Sequence, residues 1–94
     1  MNVFWAEQAQ QDYFDIAAYL LEHSPGQAEQ VMGRIDAAAQ SLADFPDRYR
    51  RGPKHRTREQ IVRGLPYIIT YHVAEDYIEI VALFHTARDF PRGG

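Results

Sequence analysis

The stretch Gly64-Leu65-Pro66-Tyr67-Ile68-Ile69-Thr70-Tyr71-His72-Val73-Ala74-Glu75-Asp76-Tyr77-Ile78-Glu79-Ile80-Val81-Ala82-Leu83-Phe84-His85 decides the fold. Two runs rich in β-branched and aromatic residues flank the turn Ala74-Glu75-Asp76, which predicts a β-hairpin. Side chains alternate across a strand, so Tyr67, Ile69, Tyr71 and Val73 share one face, and Ile68, Thr70 and His72 the other. The second run, Tyr77 to about His85, is apolar on both faces from Ile80 to Phe84, which predicts a central strand covered on both sides. Ahead of the hairpin, Arg58-Glu59-Gln60-Ile61-Val62-Arg63 forms another strand that turns at Gly64-Leu65-Pro66. On a regular strand Arg58 and Glu59 point to opposite faces, so they cannot both line one site.

Working back towards the N-terminus, the period changes. Ala9, Tyr13, Ile16, Ala17 and Leu20 recur at helical spacing, with Asp12, Asp15 and Glu22 placed off that stripe. A second helix is announced by Ser24 as cap, Pro25 at the first helical position and Gln27 completing a capping box. Its apolar stripe is Ala28, Val31, Met32, Ile35, Ala38 or Ala39, and Leu42, and Phe45-Pro46 ends it. The two helices therefore form a hairpin across Glu22-His23-Ser24. Val3-Phe4-Trp5 suits a short strand, with Trp5 in the core. The order is strand, helix, helix, strand, strand, strand, an α+β architecture.

With 94 residues, 46% of them hydrophobic, the chain has material for one modest core, and residues 1–94 read as one domain with 86–94 as a tail. It contains no cysteine, which removes disulfides and thiolate zinc sites, and its histidines at 23, 55, 72 and 85 show no metal spacing. No metal or cofactor is expected. No apolar run approaches the roughly 20 residues that span a bilayer, and no signal segment is evident, so a cytoplasmic protein is expected.

The net charge of -3 conceals a strong division. Residues 1–47 carry a net -7, residues 48–63 a net +6 and the remainder a net -2. The basic segment holds Arg48, Arg50, Arg51, Lys54, Arg56, Arg58 and Arg63 against Glu59. Such a patch suits nucleic acid or an acidic protein surface, while the acidic remainder weakens general attraction to phosphate.

The ordered motifs Arg58-Glu59, Pro66-Tyr67-Ile68-Ile69-x-Tyr71 and His85-x-Ala87-Arg88-Asp89 resemble those of the RelE/ParE superfamily of type II toxin–antitoxin toxins. The resemblance in element order covers nearly the whole chain, and the motifs lie within residues 57–91. It implies a helix hairpin packed on a twisted, mainly antiparallel sheet. It also implies a hetero-complex with a cognate antitoxin, a small DNA-binding protein whose amphipathic C-terminal tail wraps exposed toxin surface. That tail would supply the missing cover of the sheet.

Two mechanisms are compatible with the resemblance. RelE-like members cut messenger RNA in the ribosome without a metal, turning a 2′-hydroxyl into the nucleophile; this needs a base, a phosphate clamp and an acid. Candidates are Glu59 or His85 as base and Arg58, Arg63 or Arg88 as clamp. The His or Tyr and the Arg that such nucleases place after the last strand and within the third are here Thr86, Ala87 and Ile68, so that set does not carry over. ParE-like members inhibit DNA gyrase by contact, and Tyr67–Tyr71 with Phe84–Asp89 is closer to them, although Phe84 and Arg88 replace their usual Leu and Met. The surface expected to meet target or antitoxin comprises Arg51, Arg56, Arg58, Arg63, Tyr67, Tyr71 and Arg88, the two tyrosine rings packing in the core with their hydroxyls at its rim. His85 also reads as a hydrogen-bonded structural histidine, and Arg88 as a local partner of Asp89. A third possibility is an inactive homologue that only binds the antitoxin and co-represses their operon.

Overall fold

The hairpin expected from residues 64–85 forms the middle of the sheet. In the computed structural model, which describes residues 1–52 and 56–87, the elements are β1 (Asn2–Trp5), α1 (Glu7–His23), α2 (Pro25–Ser41), β2 (Arg50–Arg51), β3 (Thr57–Ile61), β4 (Tyr67–Val73) and β5 (Tyr77–His85). They build one five-stranded sheet of order β1-β5-β4-β3-β2. β1 runs parallel to β5, with Val3 opposite Ile78 and Trp5 opposite Ile80, and the other three pairings are antiparallel. The α+β fold with a mainly antiparallel sheet is therefore as expected.

One face of the sheet is covered by the helix hairpin. Ala9, Ile16 and Leu20 of α1 and Ala28, Ile35 and Ala39 of α2, with Leu42 beyond it, pack with Ile69, Tyr71, Ile78, Ile80 and Leu83 in a single cluster. Burying each Leu or Ile side chain contributes about 1.5–3 kcal/mol, so this cluster dominates the folding free energy. The helices are joined by one residue. The Ser24 amide donates to Leu20 O and closes α1, while its carbonyl accepts from Gln27 N–H and opens α2. Its side chain makes no cap bond, contrary to the expected capping box. Serving both helix ends, Ser24 sits at φ −147°, ψ 56°, away from the extended geometry from which a serine hydroxyl caps.

Four further expectations are corrected. β2 was unanticipated: Arg50 and Arg51 pair with Glu59 and Arg58, because the basic segment lies along the sheet edge. α2 ends at Ser41, before Phe45-Pro46, and hydrogen-bonded turns continue through Phe45. The two-sided apolar run of β5 has a local cause. The register steps from Thr70↔Ala82 to Tyr71↔Ile80, leaving Val81 as an extra residue, and this bulge turns both Ile80 and Leu83 toward the helices. Val81, Ala82 and Phe84 are only half-buried, so β5 lies between two strands but is closed over on one face.

The fourth correction concerns Asp12. It lies on the buried stripe of α1 at 5% exposure, between Ala9 and Ile16. Its Oδ2 accepts from Leu83 N–H at 3.0 Å, and Oδ1 accepts from Gln8 Nε2 at 2.8 Å. The reason is the short edge strand: β1 pairs with β5 only as far as Ile80, and Ala6 N–H donates to Ile80 O as the chain leaves the sheet. Beyond that point the helix must supply the acceptor that a longer strand would have provided.

An unsatisfied buried amide costs about 1–3 kcal/mol. Asp12→Ala is therefore expected to lower stability in urea unfolding by about 2–3 kcal/mol, with Asp12→Asn recovering more than half because it keeps an acceptor. Equal midpoints for the alanine variant and the parent would show that the amide does not depend on this carboxylate.

Candidate partner-binding surfaces

The strand register fixes what the uncovered face of the sheet presents. Ile61, Ile68 and Phe84 are cross-strand partners and form an apolar row over β3, β4 and β5. Ile61 is 52% exposed; Ile68 is 8% exposed yet belongs to no part of the helix-side core. The neighbouring row is Glu59, Thr70 and Ala82. Near β1, Phe4 meets Tyr77 edge-on at 5.8 Å, and both rings are exposed. No described helix or strand packs on this face. Alternation alone would have found Phe4, since it must point away from Trp5.

The basic segment divides by use. Arg50 reaches Glu59 at 3.1 Å across the β2–β3 pair on the open face. Arg58 lies on the helix face; it donates to Tyr49 O at 2.8 Å and Asp47 O at 3.3 Å and stands 3.5 Å from the Asp47 carboxylate. It holds the connection after α2 against the sheet. Tyr71, fully buried, donates from the same side to Pro46 O at 3.1 Å. Arg48 lies over the Phe45 ring at 5.1 Å. Arg51, Arg56 and Arg63 are exposed, and Arg56 holds a left-handed backbone at φ 61°. Arg63 stands in the β3–β4 turn, where its carbonyl accepts from Arg34, the one arginine or lysine of the helices. Gly64 allows that clasp: it has φ +76°, and a Cβ there would stand 3.1 Å from the Arg34 guanidinium.

Tyr67 and His85 are cross-strand partners at the helix-side end of the sheet, with rings edge-on at 5.3 Å. Tyr67 is 3% exposed, so like Tyr71 it belongs to the core and not to the outer surface. His85 Nδ1 accepts from Ala87 N–H at 3.0 Å, and Thr86 N–H donates to Pro66 O at 2.8 Å, which ties the residue after β5 to the β3–β4 turn. The expected Arg88–Asp89 pair, Lys54 and His55 lie outside the described residues.

The consequence for chemistry is topological. Glu59 projects from the open face of β3, whereas His85 projects from the helix face of β5. The sheet separates the two alternative candidates for the base, and Glu59 is committed to Arg50.

Residues 3–90 match the family model described as the ParE toxin of the type II toxin-antitoxin system parDE. The chain belongs to this toxin family. It is a ParE/RelE-superfamily toxin, the class that pairs with an antitoxin. It is similar to Toxin RelE2 of Caulobacter vibrioides, 36% identical over 87 residues covering 93% of this chain and 97% of that protein. It is similar also to Y4kP of Sinorhizobium fredii, 33% identical over 91 residues covering 97% and 94%. Its fold matches a chain of the chromosomal ParDE toxin–antitoxin system from P. aeruginosa with a TM-score of 0.80, at 17% identity, over 90% of this chain and 95% of the other.

Two predictions separate surface from scaffold in this toxin. Arg58→Ala is expected to cost about 1–2 kcal/mol in urea unfolding, since it strands carbonyl acceptors near the core, whereas Arg51→Glu and Arg56→Glu stay within about 0.5 kcal/mol. If Arg58→Ala were as neutral as the other two, the clamp would be dispensable.

Burial pushes the Tyr71 hydroxyl up to about 12, against an ordinary value of 10.0. The unfolded tyrosine then loses its proton first, so the associated stability is intact below pH 10 and is lost as pH rises toward 12. Tyr71→Phe should lose about 1 kcal/mol at neutral pH with the Pro46 hydrogen bond, and show a shallower alkaline decline. Parallel stability curves from pH 9 to about 12 would contradict this assignment.

Proposed function

We propose that this toxin arrests growth by binding DNA gyrase through protein contact, without cleaving RNA, and that its antitoxin neutralises it by covering the open sheet face. The observation that carries the first part is the placement of Glu59 and His85 on opposite faces of the sheet, with Glu59 paired to Arg50. A nuclease needs a base and an acid that reach one ribose–phosphate together, and the two candidate bases cannot serve each other as that pair. Inhibition by contact requires no such assembly. The net charge of -3 also fits a protein target better than an RNA-filled site, where cations set the affinity. Gyrase places the action in the bacterial cytoplasm, as the cysteine-free sequence suggested, and the reaction needs no cofactor or metal from the toxin.

The antitoxin's amphipathic C-terminal segment lays its apolar residues on Ile61, Ile68 and Phe84, with Arg51, Arg56 and Arg63 contacting acidic groups of antitoxin or gyrase along the β2–β3 edge. Arg58 supports this edge from the helix side. Tyr67 and Tyr71 shape it from within.

The likeness to a protein named RelE2 favours one second reading, ribosome-dependent messenger cleavage, in which Glu59, His85 and Arg88 remain the residues to vary. Inducing the toxin alone and following DNA synthesis and protein synthesis separately over the first minutes distinguishes the two. The expected result is an early replication block with DNA breakage, reproduced by inhibition of purified gyrase and unaffected by Glu59→Gln. Early translation arrest with cleaved messages would overturn the gyrase reading, and no effect on either would leave an antitoxin-binding co-repressor.

A further inference from the structure

Away from the open face, where the end of β1 meets the helix hairpin, Trp5, Gln10, Tyr13, Phe14 and Asp36 line a cleft of about 220 Å³. Its walls are aromatic. Trp5 and Tyr13 meet edge-on at 5.4 Å and 83°, and Tyr13 and Phe14 at 5.7 Å and 89°. Phe14 is 63% exposed and extends the Trp5–Tyr13 pair into one contiguous aromatic group at the surface. The polar groups are acceptors held in place. Tyr13 Oη donates to Asp36 Oδ2 at 3.1 Å, and Gln10 Nε2 donates to Trp5 O at 3.0 Å, which leaves the Gln10 amide oxygen and Asp36 Oδ1 as acceptors at the rim.

We infer that this cleft receives an arginine side chain presented by a partner polypeptide. A guanidinium stacks on aromatic faces and donates in a planar fork to a carboxylate, so rings beside Asp36 match both halves of its chemistry. Charge selects the same sign of occupant. The two helices carry Glu7, Asp12, Asp15, Glu22, Glu29 and Asp36 against Arg34 alone. Arg34 does not neutralise Asp36: two residues apart on a helix is about 200° of rotation, and Arg34 is committed to Arg63 O on the other side. Among the described residues no cation pairs with Asp36. Size argues for a side-chain head over a free small molecule, since sites that enclose free ligands run to about 300–1,000 Å³. The Tyr13 hydroxyl donates to Oδ2 and leaves Oδ1 for the guest, and burial together with that bond raises the Tyr13 pKa.

The inference rests on the reading of this chain as one half of a protein complex and is independent of the target. The chain has one tryptophan, Trp5, so the cleft carries its own reporter. Titrating the purified toxin at low salt with N-acetyl-argininamide should shift Trp5 fluorescence and its indole NMR signal, with a dissociation constant of about 10–100 mM for so small a probe. The neutral isostere N-acetyl-citrullinamide should bind at least about fivefold more weakly, and Asp36→Asn and Phe14→Ala should each weaken the arginine probe by about threefold or more. Equal binding of the two probes to the unmutated protein would reduce the cleft to an apolar slot and overturn the proposal. So would an unchanged affinity in Asp36→Asn, or no Trp5 response to either probe. Because the titration involves neither gyrase nor ribosome, its failure leaves the target assays unaffected, and a failed target assay leaves this result standing.

Discussion

A carboxylate from a helix joined to a strand amide holds this fold in register. The edge strand β1 pairs with β5 only up to Ile80, and Asp12 reaches across from α1 to accept from Leu83 N–H three residues later. That bond fixes α1 at one height along β5. The bulge at Val81 makes the arrangement possible, since it brings Ile80 and Leu83 to the same face and lets the helix-side packing continue past the end of β1. Once α1 is fixed, the single-residue link at Ser24 leaves α2 little freedom, and Arg34 then reaches the β3–β4 turn. The helix hairpin is thus tied to the sheet at both sides, by Asp12 near β1 and by Arg34 at the β3–β4 turn.

The parts of the fold that were legible in the sequence are those written in hydrophobic period. The alternation in residues 67–73, the turn at 74–76 and the helical stripes through Ile16 and Ile35 reflect burial on one face, and burial is what the sheet and helices achieve. Asp12 was misplaced because its charge outweighed its position: Ala9, Asp12, Ile16 and Leu20 fall at helical spacing, and the stripe is complete only with the aspartate in it. Its partner is a backbone amide, which no side-chain pattern can announce. The same applies to Ser24, whose contribution is carried by its peptide group. β2 escaped notice because its two arginines look like loop composition, and an edge strand carries little apolar signal.

The candidate surfaces were legible to a lesser degree for a similar reason. Sequence identifies a cationic segment, but only geometry shows how its charges are spent. Arg50 is paired with Glu59 and Arg58 clamps carbonyls, while Arg51, Arg56 and Arg63 remain at the surface. The tyrosines of the family-like motif are buried and act through the shape of the core. Exposed pairs contribute little to stability, typically under about 1 kcal/mol, so the charges of Arg50, Arg51, Arg56 and Arg63, unlike that of Arg58, can be exchanged without unfolding the protein.

Two helices can cover one face of a five-stranded sheet, and a chain of this length has nothing left for the second among its described elements. Ile61, part of Phe84 and the Phe4–Tyr77 pair therefore stay on a surface whose burial would be favourable, at about 25 cal/mol per Å² of apolar area removed from water. A toxin built this way needs a partner for a physical reason as well as a regulatory one. The aromatic cleft around Asp36 lies on the helix side of β1, and the exposed Phe4–Tyr77 pair lies on the open side of the same strand and its neighbour. A polypeptide that wraps around the β1 edge would meet apolar surface on one side and an acceptor for a cation on the other. Recognition of that edge would then depend on the order of apolar and basic residues in the partner, which gives a small toxin a way to discriminate among similar antitoxins.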